Sequence, residues 1–374
     1  MSRILVLGGY GGFGARLSRR LAARGHAVLV AGRRGDAAAE YCRSVPGATP
    51  VAMNRNGNVA QQLAGLRPDL LIDAAGPFQA SGYQVVQACI DTGVPYLDLA
   101  DGRDFVGGIA GFDAAARAAG VAVISGASSV PALSGAVARS LAADMARVSD
   151  VESVISASNR ATAGLSVATA ILSYVGQPVR LWSGAEWETA YGWQSLRRQA
   201  FALRGKTLFT RWVALAEVPD HAIVPAMLPG EPRTVFRAGP EFAFQTIGLW
   251  LLSWPVRWRL LSSIAPLAPH MRRLHGLTAG WGGDRSAMAV TVDGWVEGRA
   301  VRRRWTLVAD RGDGPEIPTM AAELLAEMIV EGRLLSGAGH AATLLALDQF
   351  APLFADRAIT TEIVEEPIRS LRQR

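Results

Sequence analysis

Lysine is nearly missing from this chain: of its 38 basic residues only Lys206 is not an arginine. No tyrosine is followed four residues later by lysine, so the Tyr-x-x-x-Lys pair of short-chain dehydrogenases is absent. A lysine acid or Schiff base is excluded unless Lys206 folds into the site. Cysteine is as scarce. Cys42 and Cys89 stand far apart with no C-x-x-C, which suits a reducing cytoplasm, and Cys89 reads as a buried thiol in an apolar helix. The five histidines lack metal-ligand spacing, since even His270 and His275 are five apart, so no metal site is expected. The net charge of +6 comes from arginines scattered along the whole length rather than gathered in a stripe. That distribution, in a chain rich in Gly and Ala, reads as a genomic bias and argues against nucleic acid as a partner. Long apolar runs are missing too. The first apolar segment is too short for a secretory signal. The uncharged stretch Phe242 to Val256 falls short of the roughly 20 residues that cross a bilayer. Buried core or pocket wall, oligomer interface and peripheral membrane contact all stay open for that stretch.

What is present points to a two-domain α/β protein. Half of the 374 residues are apolar and 19% are charged, enough for a large core. Residues 4–7 read as an apolar strand, followed by Gly9, Gly11 and Gly14 on a G-x-G-x-x-G spacing. A helix and a second strand, Ala27 to Gly32, come next. In such a turn glycine permits the bend, lets a pyrophosphate approach the backbone and lets helix pack on strand. The helix start then offers free N–H groups and a partial positive charge to phosphate. Tyr10, Gly12 and Phe13 complete the turn. At the end of the second strand, an NAD site usually carries Asp or Glu for the ribose hydroxyls. Gly32, Arg33 and Arg34 occupy that place, which favours NADP, because guanidinium grips a 2′-phosphate; the bland alternative is two solvated arginines.

Strand and helix alternate to about residue 130, with strands expected near 49–53, 69–75, 95–99 and 121–125 and helices near 59–66, 83–92 and 112–119. Apolar strands between helices imply a Rossmann-type doubly wound parallel sheet. Ligands then lie beyond the carboxyl ends of the strands, which gathers the glycine turn, Gly32 to Arg34, Ala75-Gly76-Pro77-Phe78 and Asp98 to Asp101 on one surface. After residue 150 the texture changes, and all ten tryptophans lie between Trp182 and Trp305. The expectation is a second α+β domain over 131–337 with a mostly antiparallel sheet. Within it we expect a strand at 151–157, a helix at 165–175, a strand pair turning around Asp293-Gly294 and Gly298, and a helix at 319–332.

With these segments placed, the chain resembles the saccharopine dehydrogenase-like family of NADP-linked oxidoreductases. The matching words are Val-Leu-Gly-Gly-Tyr-Gly-Gly-Phe-Gly at 6–14, Ala-Gly-Arg-Arg at 31–34, Ala-Gly-Pro-Phe at 75–78, residues 83–89, and Tyr-Leu-Asp-Leu at 96–99 followed by Asp101. The resemblance implies a nucleotide domain, a substrate domain with a homodimer contact, and a C-terminal segment, 338–374, that can return to the nucleotide domain. It also implies pyrophosphate at the glycine turn, the 2′-phosphate at Arg33 and Arg34, and ribose and nicotinamide along Ala75 to Phe78. Ala100-Asp101-Gly102 departs from a frequent Gly-Glu pair of the family.

Hydride transfer needs a placed cofactor and a proton source. Tyr83, Asp98 and Asp101 are the candidate proton donors, against ring packing for Tyr83 and strand or helix capping for the two acids. Asn159, Arg160 and Thr162 are candidates for a substrate carboxylate, against a surface salt bridge for the arginine. Three functions stay open: NADP(H)-dependent reduction or oxidation of a C=N or C=O bond in a small metabolite, use of bound cofactor as a transient hydride acceptor, and a nucleotide-bound scaffold or redox sensor.

Overall fold

The computed structural model describes residues 1–79, 81–161 and 164–368. They form two compact units, 1–133 with 315–345, and 134–314 with the chain from Ala346 on.

The first unit alternates as expected: β1 Arg3–Leu7, α1 Gly12–Ala23, β2 Ala27–Gly32, α2 Gly35–Cys42, β3 Ala48–Ala52, α3 Val59–Leu66, β4 Leu70–Asp73, α4 Gln84–Asp91, β5 Tyr96–Asp98, α5 Arg103–Gly108, α6 Asp113–Ala118 and β6 Ala122–Ser125. The strands are hydrogen-bonded in the order β6, β5, β4, β1, β2, β3, with Gly337–His340 outside β6, and every pairing is parallel. This is a Rossmann-type sheet whose order reverses at β1. Ile4, Leu5 and Val6, like Leu70, Leu71 and Ile72, are fully buried, as strands covered on both faces must be. Cys89, in α4, is buried as well.

The expected divisions near 130 and 337 differ from these units. Helix Ile317–Val330, placed by its apolar pattern in the substrate domain, belongs to the nucleotide unit. Charge decides this. Its Glu323 receives Arg20 and, at 2.6 Å, Arg24, while Glu327 faces His26 at 3.0 Å and Glu316 faces Arg16 at 3.3 Å. Arg16 and Arg20 on α1 and Arg24 just past it, spaced four apart, thus meet Glu316 at the start of the returning helix and Glu323 and Glu327, four apart, along it. The return also stops early. Gly337–His340 joins β6, whereas Ile359–Pro367 pairs antiparallel with Arg299–Ala309 in the other unit.

That second unit is built on a seven-stranded sheet, ordered Arg197–Leu203, Lys206–Leu215, Arg233–Gly239, Arg147–Ser156, Ser286–Val296, Arg299–Ala309, Ile359–Pro367. All its pairings are antiparallel except Arg233–Gly239 with Arg147–Ser156. Of the two positions expected for the hairpin turn, Asp293-Gly294 and Gly298, the chain turns at the second, through Glu297-Gly298. Asp293-Gly294 forms an irregularity against Arg147–Ser156, where a Cβ on Gly294 would stand 2.5 Å from the Arg147 carbonyl oxygen. An Asp-Gly pair serves a bulge as well as a turn. Phe242 to Val256 lies largely in helix Ala243–Arg257, of which only Thr246, Leu249, Ser253 and Val256 are buried, so it is not a buried core segment. Among the described residues no helix is long and apolar enough to cross a membrane.

Two stability predictions follow from buried charge. Arg20 and Glu323 are both largely buried, so Glu323→Ala leaves Arg20 only its longer 3.6 Å contact with Glu316 and should cost about 3 kcal/mol in denaturant unfolding of the nucleotide unit. In the second unit Asp220 is buried without a charged partner among the described residues, and burial pushes its pKa to about 6, partly offset by the Ser134 hydroxyl. The folded state therefore prefers the neutral acid. Its contribution is fully present below about pH 4 and lost as pH rises through about 6. Asp220→Asn should stabilise the protein at pH 8 by on the order of 2–3 kcal/mol and change little at pH 4, checked by thermal melts across that range.

Candidate nucleotide site

The site begins where β1 ends. Gly8, one residue before the glycine motif, takes the left-handed conformation at φ +79°, and a Cβ there would meet the Ala74 and Ala75 backbone at 3.0 Å. The bend therefore falls on Gly8 and not on Gly9, whose own Cβ would stand 2.7 Å from the Val6 carbonyl oxygen. Gly14 carries the closest approach: a Cβ on it would lie 2.2 Å from the Gly8 carbonyl oxygen, so only glycine lets α1 pack this tightly on the turn. Gly11 and Gly12 face outward, and nothing lies within 4 Å of a Cβ built on Gly12. Helix α1 has no side-chain cap and no acid in its first turn. The N–H groups of Gly12, Phe13 and Gly14 thus lack intrahelical acceptors and no carboxylate opposes an anion there.

At the tip of β2, Gly32 is required by Tyr10. The Tyr10 ring would stand 2.3 Å from a Cβ on Gly32, and its hydroxyl accepts from the Arg34 N–H at 3.1 Å. The place of an NAD-type carboxylate is therefore filled by an aromatic ring. Arg33 and Arg34 are exposed, and Arg33 lines a shallow recess of about 510 Å³ with Met53, Asn54, Gly57, Asn58 and Gln61.

Four polar residues cross the carboxyl ends of adjacent strands. Asp73 is in register with Asp98, Ser125 donates to Asp98 at 3.0 Å, and Ser125 is in register with His340. Asp73 is wholly buried and held by Arg55 at 2.9 Å; burial raises its pKa and Arg55 opposes that. Arg55 also donates to the Ala75 carbonyl and the Ser81 hydroxyl, and its guanidinium lies 5.2 Å from the Phe78 ring centre. Phe78 is buried between Arg55 and Phe105, so its ring supports the wall while Ala75, Gly76 and Pro77 keep some surface exposed. Asp98 accepts on Oδ1 from Ala100 and Gly126 N–H groups as well as from Ser125, whereas its buried Oδ2 has no partner; burial pushes its pKa to about 6. His340 Nδ1 is likewise buried without a hydrogen bond, and burial lowers its pKa.

The other candidates separate. Tyr83 directs its hydroxyl at the carbonyls of Phe105 (2.9 Å) and Asp104 (3.1 Å) and stacks on Phe105, so its proton is committed to the backbone and the proton-donor role is withdrawn. Asp101 is exposed and accepts from Gln79 at 2.9 Å. Asn159 belongs to the second unit and is buried there. Its N–H donates to Glu241, its amide nitrogen to the carbonyls of Thr278 and Trp281, and its amide oxygen accepts from Gln245. That satisfied hub corrects its assignment to substrate. Arg160 is exposed, and Thr162 lies outside the described residues. Sequence reasoning passed over Gly8, Arg55, Asp73 and His340. Gly8 lies inside the word at 6–14 and Asp73 inside the strand expected at 69–75, without a role assigned to either, whereas Arg55 and His340 reach the row only through the folded sheet.

Comparison with known proteins accords with this geometry. Residues 4–124 match the family model of the saccharopine dehydrogenase NADP binding domain. A search of curated proteins gives no significant match. Among solved structures, the apo saccharopine dehydrogenase (L-Glu forming) of Saccharomyces cerevisiae is similar over 97% of this chain and 100% of that one, with 14% identity and a TM-score of 0.64. At that identity the likeness speaks for fold alone. The amine dehydrogenase of Mycobacterium smegmatis aligns over 93% of this chain and 95% of its own at 11% identity, with a TM-score of 0.49, too low to carry an argument. Over residues 4–124, the resemblance read from the glycine turn and strand ends is matched by the saccharopine dehydrogenase NADP binding domain model, and family and fold suggest an oxidoreductase.

Proposed function

We propose that the chain is an NADP(H)-dependent oxidoreductase that moves a hydride to or from a C=N or C=O bond of a small metabolite. The observation that carries this reading is the uncapped, acid-free start of α1, together with Arg33 in the recess past the end of β2. The residues fit the dinucleotide. Gly11 and Gly12 leave room for a pyrophosphate, and the N–H groups of Gly12 to Gly14 would donate to it. Arg33, with Arg34, would grip the 2′-phosphate, and the backbone of Ala75 to Pro77 would border ribose and nicotinamide. When bound, the nicotinamide supplies or takes the hydride. The chain's own task is to position it and to handle one proton.

For that proton we favour Asp98 and His340 over Tyr83, because Asp98 Oδ2 and His340 Nδ1 are buried and unpartnered. An acid that titrates near 6 can hold a proton close to neutral pH and release it in the transition state. Arg160 keeps the proposed role of meeting a substrate carboxylate, since it is exposed and permanently charged.

Arg33→Asp should weaken NADPH binding by about 1–3 kcal/mol, the size of a lost charge-assisted contact, and leave NADH binding nearly unchanged. Calorimetry with both nucleotides checks it, and equal losses for both would refute the 2′-phosphate assignment. Stopped-flow oxidation of NADPH should show a pH inflection near 6 that disappears in Asp98→Asn, which keeps Oδ1 and its acceptor role. An unchanged profile would move the proton to another group.

A further inference from the structure

We infer that the helical layer of the second unit docks on an anionic lipid surface. This goes beyond the proposed redox activity and does not rest on it. Helices Leu165–Ser173, Ala243–Arg257 and Ala268–Thr278 contribute Leu172, Leu249, Val256 and Ala268 to one buried cluster, so they form a single layer. On Ala243–Arg257 the inward stripe is Thr246, Leu249, Ser253 and Val256, half of it polar. The opposite side, at helical period, carries Phe244, Ile247, Leu251 and, one residue past the helix, Trp258, all exposed. A helix of a water-facing protein has the reverse arrangement. The same layer continues through Leu260, 72% exposed, to Leu274 and Leu277 on the third helix, the latter 75% exposed, and then Trp281.

Charge selects the occupant. From Phe242 to Gly283 the sequence holds no Asp or Glu, but it holds Arg257, Arg259, Arg272 and Arg273, all exposed. Apolar side chains with tryptophans and arginines at their margin are the composition of helices lying in a bilayer interface, where rings sit at headgroup depth and guanidinium meets lipid phosphate. A second copy of the chain fits less well. A two-fold contact through this face would set arginines against arginines with no acid to offset them. Among the described residues no helix is long and apolar enough to span a bilayer, and the attachment we infer is peripheral.

The test is flotation of the full chain with phosphatidylcholine vesicles, with and without phosphatidylglycerol. The protein should float at least tenfold more with the anionic vesicles and lose that advantage at high salt. Leu251→Glu combined with Leu277→Glu should abolish flotation. Arg259→Gln with Arg272→Gln and Arg273→Gln should remove the preference for anionic lipid. Circular dichroism and NADPH affinity should stay as in the parent, which separates this reading from failure of the nucleotide site. Absence of flotation with both vesicle types overturns the proposal. So does a parent dimer, seen by light scattering, that the leucine variants convert to monomer while flotation is unaffected.

Discussion

The contact on which the nucleotide site depends is the approach of Gly14 to the Gly8 carbonyl oxygen. No side chain can enter that gap, and closing it fixes where α1 begins and how its first N–H groups are aimed. The opposite flank of α1 is held by ion pairs to Glu316, Glu323 and Glu327. The helix is therefore located twice, by a backbone contact at its start and by charge along its length. An anion-binding helix terminus needs such rigidity, because free N–H groups act only over the first turn.

The carboxyl edge of the same sheet concentrates polar groups that burial makes costly. Asp73 is compensated by Arg55, which links it to the Ala75 carbonyl and to Phe78. Asp98 is compensated only on Oδ1. Two acids in register on neighbouring strands thus receive different treatment, one paired with a cation and one left near its titration point.

The second unit shows the inverse of the usual economy of apolar residues. Its sheet buries Phe201, Val213 and Val308 in the ordinary way, while its helical layer turns leucines and tryptophans outward and polar Thr246 and Ser253 inward. Thr246 donates to the Trp212 carbonyl and Ser253 to that of Trp250, so the inward polar groups are satisfied. The outward face is free of acids from Phe242 to Gly283 and carries Arg257, Arg259, Arg272 and Arg273.

Much of the nucleotide unit was legible in sequence because its signals are local. Apolar strands, glycine spacing and the missing carboxylate at Gly32 need no distant partner to be read, and most elements from β1 to β6 fall within a few residues of expectation. Less of the site was legible. Asp98 was placed on the right edge, but its solitary Oδ2, the backbone commitment of Tyr83 and the saturated amide of Asn159 depend on neighbours remote in sequence. The same holds for Arg55, His340 and the helix at 317–330, whose apolar period specifies a helix but not the surface it covers. Composition and period thus determined the α/β class, the glycine turn and the charge at the strand tip. Tertiary structure alone decided which buried polar atoms find partners and which apolar faces stay exposed, because burial and hydrogen bonding are properties of pairs that only the folded chain brings together.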